Sequence, residues 1–164
     1  MRKSSTFPPD DDVVLAVADN AFWGRTIFNN VNINTATVVG NYTYFGDANL
    51  DGKVTGDDYL NVDANLGSGD SWLEGDFNMS GVTTGDDYLA IDANLGKGTS
   101  NPLAFAELKE EMVAAHVAMF GEEYLVKLAQ VEAEGFGAVV PEPEALSLIG
   151  LGAIGLLRRR RRHG

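Results

Sequence analysis

The fold is decided by a stretch that occurs twice, GDANLDGKVTGDDYLNVDANLG at residues 46–67 and GDFNMSGVTTGDDYLAIDANLG at residues 75–96. The two copies keep the same residue at most of their positions. Repetition at a fixed offset indicates duplicated supersecondary units, which bury a common core by packing on each other. We therefore expect two equivalent units that pack face to face.

Each copy carries oxygen-bearing residues at the spacing of a calcium loop. Such a loop takes ligands from positions 1, 3, 5, 7, 9 and 12, and a glycine at position 6 makes its sharp turn. The glycines are Gly52 and Gly81. Position 7 offers its backbone carbonyl, so its side chain is not constrained. The predicted ligands are Asp47, Asn49, Asp51, Lys53, Thr55 and Asp58 in the first loop, and Asp76, Asn78, Ser80, Val82, Thr84 and Asp87 in the second.

This pattern predicts two Ca²⁺ sites, the second of them weaker. Ser80 stands where the first loop has Asp51, so the second site has one carboxylate fewer, and affinity falls with ligand charge. Asp, Asn and Gly also favour ordinary surface turns. Two loops in register make that simpler interpretation the weaker one.

A short helix is expected to follow each loop. Thr55 and Thr84 suit the N-cap, with Asp58 and Asp87 three residues further on in a capping-box arrangement. Gly67 and Gly96 suit left-handed C-terminal caps. Tyr59, Val62 and Leu66, and likewise Tyr88, Ile91 and Leu95, recur at helical spacing. No full entering helix precedes either loop, and residues 41–45 are typical of a strand.

Paired loop–helix calcium motifs without entering helices resemble a type I dockerin module, over residues 46–96. The resemblance implies a mainly α fold built on a tandem F-hand, EF-hand-like calcium module. In cellulosomal dockerins, loop positions 10 and 11 are often Ser or Thr and help to choose the cohesin partner. Here those positions hold Gly56-Asp57 and Gly85-Asp86. The calcium ligands carry over from the family, whereas the partner does not.

The C-terminus combines Pro141-Glu142-Pro143, an apolar run at residues 145–157, and five arginines at residues 158–162. The apolar run is shorter than the roughly 20 residues of a stable membrane span, and flanking arginines favour the cytoplasmic side. Residues 140–162 resemble a PEP-CTERM sorting signal. The resemblance implies an exosortase-type processing enzyme, transient membrane contact, and a final place at the cell surface or in the extracellular matrix. A buried core helix and a nucleic-acid-binding arginine run are the competing interpretations.

The remaining segments complete the predicted organisation. Residues 1–45 are interpreted as a β-type remnant of a larger module with a disordered N-terminus, and no signal peptide is visible in them. Residues 97–137 are interpreted as a helical spacer, an αα-hairpin broken at Gly121, with an apolar stripe at Phe105, Leu108, Met112, Ala115 and Met119. A partner-binding helix is the alternative. The predicted domains are thus 1–45, 46–96, 97–137 and 138–164.

Composition narrows the function further. The net charge of −12 disfavours nucleic acid as a partner, and the absence of cysteine excludes disulfides and thiolate metal sites. His116 lacks a recognisable catalytic partner in the sequence, and the paired acids belong to the loops, so no enzyme is predicted. We interpret the chain as a non-catalytic calcium-binding part of an exported surface or matrix protein. The alternatives are a cohesin-binding dockerin of a polysaccharide-degrading assembly and an intracellular calcium-responsive regulator.

Overall fold

The structure is a computed structural model that describes residues 13–134. Strands gather in the first third of this range and helices in the rest. Two 3₁₀ turns, Trp72–Glu74 and Pro102–Phe105, connect helices. The strands are β1 (Val13–Asp19), β2 (Ile27–Phe28), β3 (Val31–Asn32) and β4 (Val38–Tyr44), and the helices are α1 (Asn20–Trp23), α2 (Gly56–Asn65), α3 (Tyr88–Asn94), α4 (Ala106–Phe120) and α5 (Glu123–Glu134).

Two antiparallel ribbons form the β part. Strands β1 and β4 pair from Val13↔Tyr44 to Asp19↔Val38, and β2 pairs with β3. The turn between β2 and β3 consists of two asparagines with positive φ, the conformation that a tight hairpin requires. The buried Asn20 side chain closes the intervening loop, because its Nδ2 donates to the carbonyls of Arg25 and Asn34, each at 2.8 Å.

The predicted mainly α, tandem EF-hand-like fold is wrong. Helix makes up 45 % and strand 15 % of the described residues, in two small antiparallel sheets, so the fold is mixed α/β. The sequence analysis missed β1, whose pairing with β4 is a long-range contact that no local pattern reveals. The absence of entering helices was predicted, and the structure agrees: strand β4 leads into the first loop and the 3₁₀ turn Trp72–Glu74 precedes the second.

The two copies of the repeat pack against each other with crossed, equivalent contacts. Gly46 lies on the backbone of α3, where an added Cβ would stand 2.8 Å from the Ala90 carbonyl oxygen. Gly75, its counterpart, lies on α2, where a Cβ would stand 2.6 Å from Val62 Cγ2. Both have positive φ, so glycine is required twice over. The repeated glycine is therefore a packing requirement of the interface.

Hydrogen bonds join the same two halves. The Tyr59 hydroxyl of α2 donates to Asp92 Oδ1 of α3 at 2.6 Å, and the Tyr88 hydroxyl of α3 donates to Asp63 Oδ1 of α2 at 2.5 Å. These are equivalent positions of the repeat, exchanged between its copies. Expectation and structure agree on two helices packed face to face, and the structure adds the reciprocal polar bonds.

Helices α4 and α5 pack on α3. The carboxylate of the fully buried Asp92 accepts the Tyr124 hydroxyl at 2.7 Å and lies 2.8 Å from His116 Nδ1, in addition to its bond from Tyr59. The imidazole of His116 also lies against the Tyr88 ring, with 4.2 Å between ring centroids. The hairpin thus packs on the repeat, and the Asp92 carboxylate is one of the groups that join the two.

The apolar stripe predicted for the first of these helices is partly wrong. Phe105, Leu108 and Met112 pack against the core, but Ala115 and Met119 are exposed. The histidine between them points inward instead, because it finds an acceptor there. Tyr124, Leu128 and Val131 of α5 are buried as predicted. Within residues 13–134, no helix has the length and apolarity needed to cross a bilayer.

We expect Tyr124→Phe to lower the free energy of unfolding by roughly 1.5–3 kcal/mol, because Asp92 loses one donor to a buried charged group. Tyr42→Phe is the matched control, since the Tyr42 side chain is 62 % exposed and should tolerate the change within about 0.5 kcal/mol. Urea denaturation of both variants measures the difference. Equal stabilities would contradict a structural role for the hydroxyl.

Candidate metal centre

The position-1 aspartates lie buried at the centre of their loops. Asp47 Oδ1 accepts the N–H of Asp51 at 3.1 Å, and Oδ2 accepts that of Gly52 at 2.8 Å. Asp76 accepts the N–H groups of Ser80 at 3.0 Å and Gly81 at 2.8 Å through the same pair of oxygens. The chain is therefore wrapped around each carboxylate in the same way.

The position-12 aspartates close the two loops with a second matching set of bonds. Asp58 Oδ1 accepts the N–H of Ala48 at 2.9 Å, and its Oδ2 accepts that of Thr55 at 2.8 Å. Asp87 Oδ1 accepts the N–H of Phe77 at 2.9 Å, and its Oδ2 accepts that of Thr84 at 2.8 Å. Each loop is thereby drawn back onto its own start.

The helices that follow differ in their first turn. Thr55 caps α2, with Asp58 at the third helical position, as predicted. Helix α3 begins only at Tyr88, later than the repeat predicts, although Asp87 still bonds to Thr84. Gly67 and Gly96 have positive φ, as their predicted cap role requires. In the second copy, a turn at residues 85–87 thus stands where the first copy already has the first turn of its helix.

The side chains at positions 3 and 5 form the more open side of each loop. Asn49 and Asn78, at position 3, accept the N–H of position 5 at 2.9 Å. Asp51 is exposed and accepts the N–H of Lys53 at 2.9 Å. Ser80, its counterpart, instead donates its hydroxyl to the Val82 carbonyl at 2.9 Å. The substitution thus removes a carboxylate and engages a carbonyl that is itself a predicted ligand.

Sharp turns hold the ligand positions in place. Gly52 and Gly81 have φ of 86° and 88°, which confirms the turn predicted at position 6. Position 4 also has positive φ, at 60° for Leu50 and 56° for Met79. Positive φ is uncommon for such side chains. No residue preference indicates this second left-handed residue, which occurs at the same position in both loops.

Burial and mutual repulsion act on the loop carboxylates. Burial, with a smaller contribution from the neighbouring Asp47, raises the pKa of Asp58 to about 7 against the opposing effect of the backbone N–H donors. The pKa of Asp47 is raised by burial and by the charge of Asp51, although the Thr43 hydroxyl and backbone donors oppose this. Burial and the charge of Asp76 raise the pKa of Asp87. The loops therefore hold acidic groups in places that disfavour their charge.

The donor set fits a hard, oxygen-preferring cation such as Ca²⁺. Two buried carboxylates converge in each loop, and their repulsion is what a bound cation would relieve. Within the described residues, no three His, Cys, Asp or Glu side chains form a metal-binding group. Each loop's remaining predicted oxygens come from amide, hydroxyl and backbone carbonyl groups, with the exposed Asp51 as the third carboxylate of the first. The two sites stay a prediction on this basis.

Two buried polar features near the loops were missed from the sequence. The Thr43 hydroxyl on β4 donates to Asp47 Oδ2 and ties the strand to the first loop. Trp72 Nε1 donates to the Asp47 carbonyl at 2.7 Å from the turn before the second loop. The cluster around Asp92 was missed as well. The same spacing of tyrosine and aspartate in both copies indicated part of that cluster, whereas no neighbouring residue in the sequence indicated the role of the histidine.

Comparison with known proteins bears on the C-terminus. Residues 139–162 match the family described as the PEP-CTERM protein-sorting motif. The curated proteins and the solved structures that were compared give no match to the chain. The match lies outside residues 13–134, so it adds nothing to the geometry of the loops. It implies export, processing by exosortase and membrane-associated sorting to the cell surface.

Without metal, we expect the free energy of unfolding to fall as the pH rises from about 4 to about 7. The folded-state pKa of Asp58 lies above the ordinary value of 3.8 for an aspartate, so the folded state binds the proton more tightly across that window. Asp47 and Asp87 act in the same direction. Urea denaturation in calcium-free buffer at several pH values measures the trend.

Asp58→Asn is the control for this pH dependence, because it removes the titrating group and keeps an acceptor for the backbone. Its stability should decline less steeply with rising pH than that of the unsubstituted protein. Identical slopes would mean that Asp58 does not titrate in this window.

Proposed function

We propose that residues 46–96 bind two Ca²⁺ ions and form a non-catalytic, calcium-stabilised part of an exported bacterial surface or matrix protein. The observation that carries the proposal is the matching set of hydrogen bonds in the two loops. In both copies, positions 1 and 12 are buried aspartates held by the N–H groups of the same loop positions. An accidental pair of acidic surface turns has no reason to bury its acids or to repeat their bonds.

The ion would supply positive charge next to the buried carboxylates of the loops. Asp47, Asp58, Asp76 and Asp87 are each at least 99 % buried, and within residues 13–134 their hydrogen-bond donors are backbone N–H groups and hydroxyls. Burying a carboxylate without a compensating cation is costly. Calcium would therefore contribute to folding as well as to function, as metals do in small domains with limited cores.

The polar cluster beneath the loops is better suited to structure than to catalysis. His116 is buried, and its Nδ1 faces Asp92, which also accepts two tyrosine hydroxyls. Burial raises the pKa values of Tyr59 and Tyr124, with further effect from the Asp92 charge, so both remain protonated donors. A group enclosed in this way has no access to a substrate, which supports a non-catalytic role.

Binding of a cohesin, the alternative function, is less well supported at the second copy of the repeat than at the first. Phe120 covers Gly85, where an added Cβ would stand 2.7 Å from the ring, and Lys127 Nζ bonds to Asp86 Oδ1 at 2.7 Å. Loop positions 10 and 11 of the second copy are thus engaged by the chain's own hairpin. Gly56 and Asp57 are exposed in the first copy. These positions are therefore more accessible to a partner in the first copy than in the second. Export disfavours the intracellular regulator.

We expect calcium to increase the helical circular dichroism of the purified protein and to bind at two sites of unequal affinity. The motivation is the set of buried, mutually repelling carboxylates. Dissociation constants anywhere from roughly micromolar to millimolar agree with loops of this type. Identical spectra in chelator and in excess calcium would contradict calcium-coupled folding.

Two reciprocal substitutions rank the sites. Ser80→Asp should tighten the second site and Asp51→Ser should weaken the first, since ligand charge sets affinity in such loops. Asp47→Ala should cost more affinity than Asp76→Ala, because the site that it damages has the additional carboxylate. Isothermal titration calorimetry compares the four variants. Weaker binding by Ser80→Asp would show that something other than charge distinguishes the loops.

The matched C-terminal motif should act as a removable sorting signal. We expect an exported reporter that carries residues 138–164 to lose its tail in a host with an exosortase-type enzyme. Replacing Pro141 to Pro143 by alanine, or the arginines at 158–162 by glutamine, should block the processing, and Glu144→Gln serves as a control. Mass spectrometry of the surface protein shows whether the tail has been removed. A mature product that retains the arginines would contradict removal of the signal.

A further inference from the structure

Helix α4 has apolar residues around most of its circumference, yet little of it is covered. His116 is the only buried residue of this helix, and its side chain faces α3. Val113 and Val117 pack only partly against the core. A helix that is apolar on several sides is normally buried on all of them. Another element is therefore needed on the side that α3 does not cover.

That side is a groove of about 690 Å³ between α4 and α5. Its apolar walls are formed by Val113 and Val117 on one helix and by Leu125 and Leu128 on the other. Glu110 and Glu122 also line it together with Lys109, whose amino group is bonded to Glu132, so an apolar floor is combined with a net negative charge. The lining calls for an occupant that is apolar along its length and positively charged at an end.

We propose that the occupant is the chain's own apolar run at residues 145–157, with the arginines at 158–162 placed near Glu122 and Glu123. The proposal concerns the unprocessed precursor and goes beyond the proposed calcium function. No other stretch of the sequence combines an apolar run of this length with a basic end. The same segment would thus be held by this groove first and by the membrane later.

The connecting chain is long enough for this placement. Helix α5 ends at Glu134 beside the start of α4, where Lys109 Nζ bonds to Glu132 Oε1 at 2.7 Å. Residues 135–144 can span about 30 Å at roughly 3.3 Å each. Helix α4, with 15 residues, is only about 22 Å long. The apolar run has nearly the same length as the groove, since as a helix it would extend about 20 Å.

The path of the chain and the charges at the end of the groove agree on the direction in which the segment would lie. A segment that turns back after Glu134 runs antiparallel to α5 and ends at the connection between α4 and α5. Glu122 and Glu123 stand at that connection. The arginines would therefore reach two carboxylates instead of the amino groups of Lys109 and Lys127. The net charge of −12 makes a basic segment a favourable partner for this chain in general.

Photo-crosslinking of the full precursor tests the contact. The precursor is produced in a host without an exosortase-type enzyme, with benzoylphenylalanine in place of either Leu125 or Val126. Leu125 lines the groove, whereas the adjacent Val126 is 70 % exposed and does not. We expect intramolecular cross-links to residues 145–157 from position 125, several-fold more abundant than those from position 126. Equal yields, links between differently tagged copies, or no links would overturn the proposal.

Vesicle binding supplies a second readout that needs no cross-linker. Leu125→Glu should release the tail and raise partitioning onto phosphatidylcholine vesicles by about tenfold, the loss expected from one buried leucine side chain. Val126→Glu is the matched control and should leave partitioning unchanged. Circular dichroism of both variants verifies that they remain folded. Equal partitioning of the two folded variants would overturn the proposal.

Discussion

The structure depends on the balance of charge inside two loops. Aspartates at the first and last positions of each loop are buried, and backbone N–H groups hold them at matching distances. Backbone donors satisfy the oxygen atoms but bring no net positive charge. Burial and neighbouring carboxylates accordingly raise the pKa of Asp58 and Asp87. A cation is the natural complement to this arrangement, and every functional statement about the repeat follows from it.

The two halves of the repeat are equivalent in contact and unequal in surroundings. Reciprocal tyrosine–aspartate bonds join α2 and α3, and each loop glycine lies on the helix of the other copy. The hairpin then covers only one half. Leu89 is fully buried beneath it, whereas Leu60, its counterpart on α2, is 64 % exposed. Duplication therefore gave two similar units, and the added helices made one of them internal.

Local chemistry explains which features could be predicted from the sequence. The turn glycines Gly52 and Gly81, the capping role of Thr55 and the inward face of α5 follow from backbone preferences and side-chain periodicity. The matched sorting motif likewise consists of adjacent elements in a fixed order. Each of these depends on residues close together in the chain.

Long-range pairing explains what was missed. Strand β1 is held by its antiparallel pairing with β4, a contact between residues far apart in the chain that the local sequence does not show. For His116, the sequence indicated no catalytic partner and no buried position. It points inward because Asp92, Tyr59 and Tyr124 surround it, and those three come from three different helices. The stripe prediction failed for the same reason, since apolarity alone cannot foresee a polar partner.

Anomalous X-ray diffraction from crystals grown with calcium tests the central claim most directly. The account predicts two anomalous peaks, one between Asp47 and Asp58 and one between Asp76 and Asp87, with the second at lower occupancy when calcium is limiting. Crystals of Asp58→Asn should lose or weaken the first peak and keep the second. Ordered loops without a peak in either, at saturating calcium, would contradict the account.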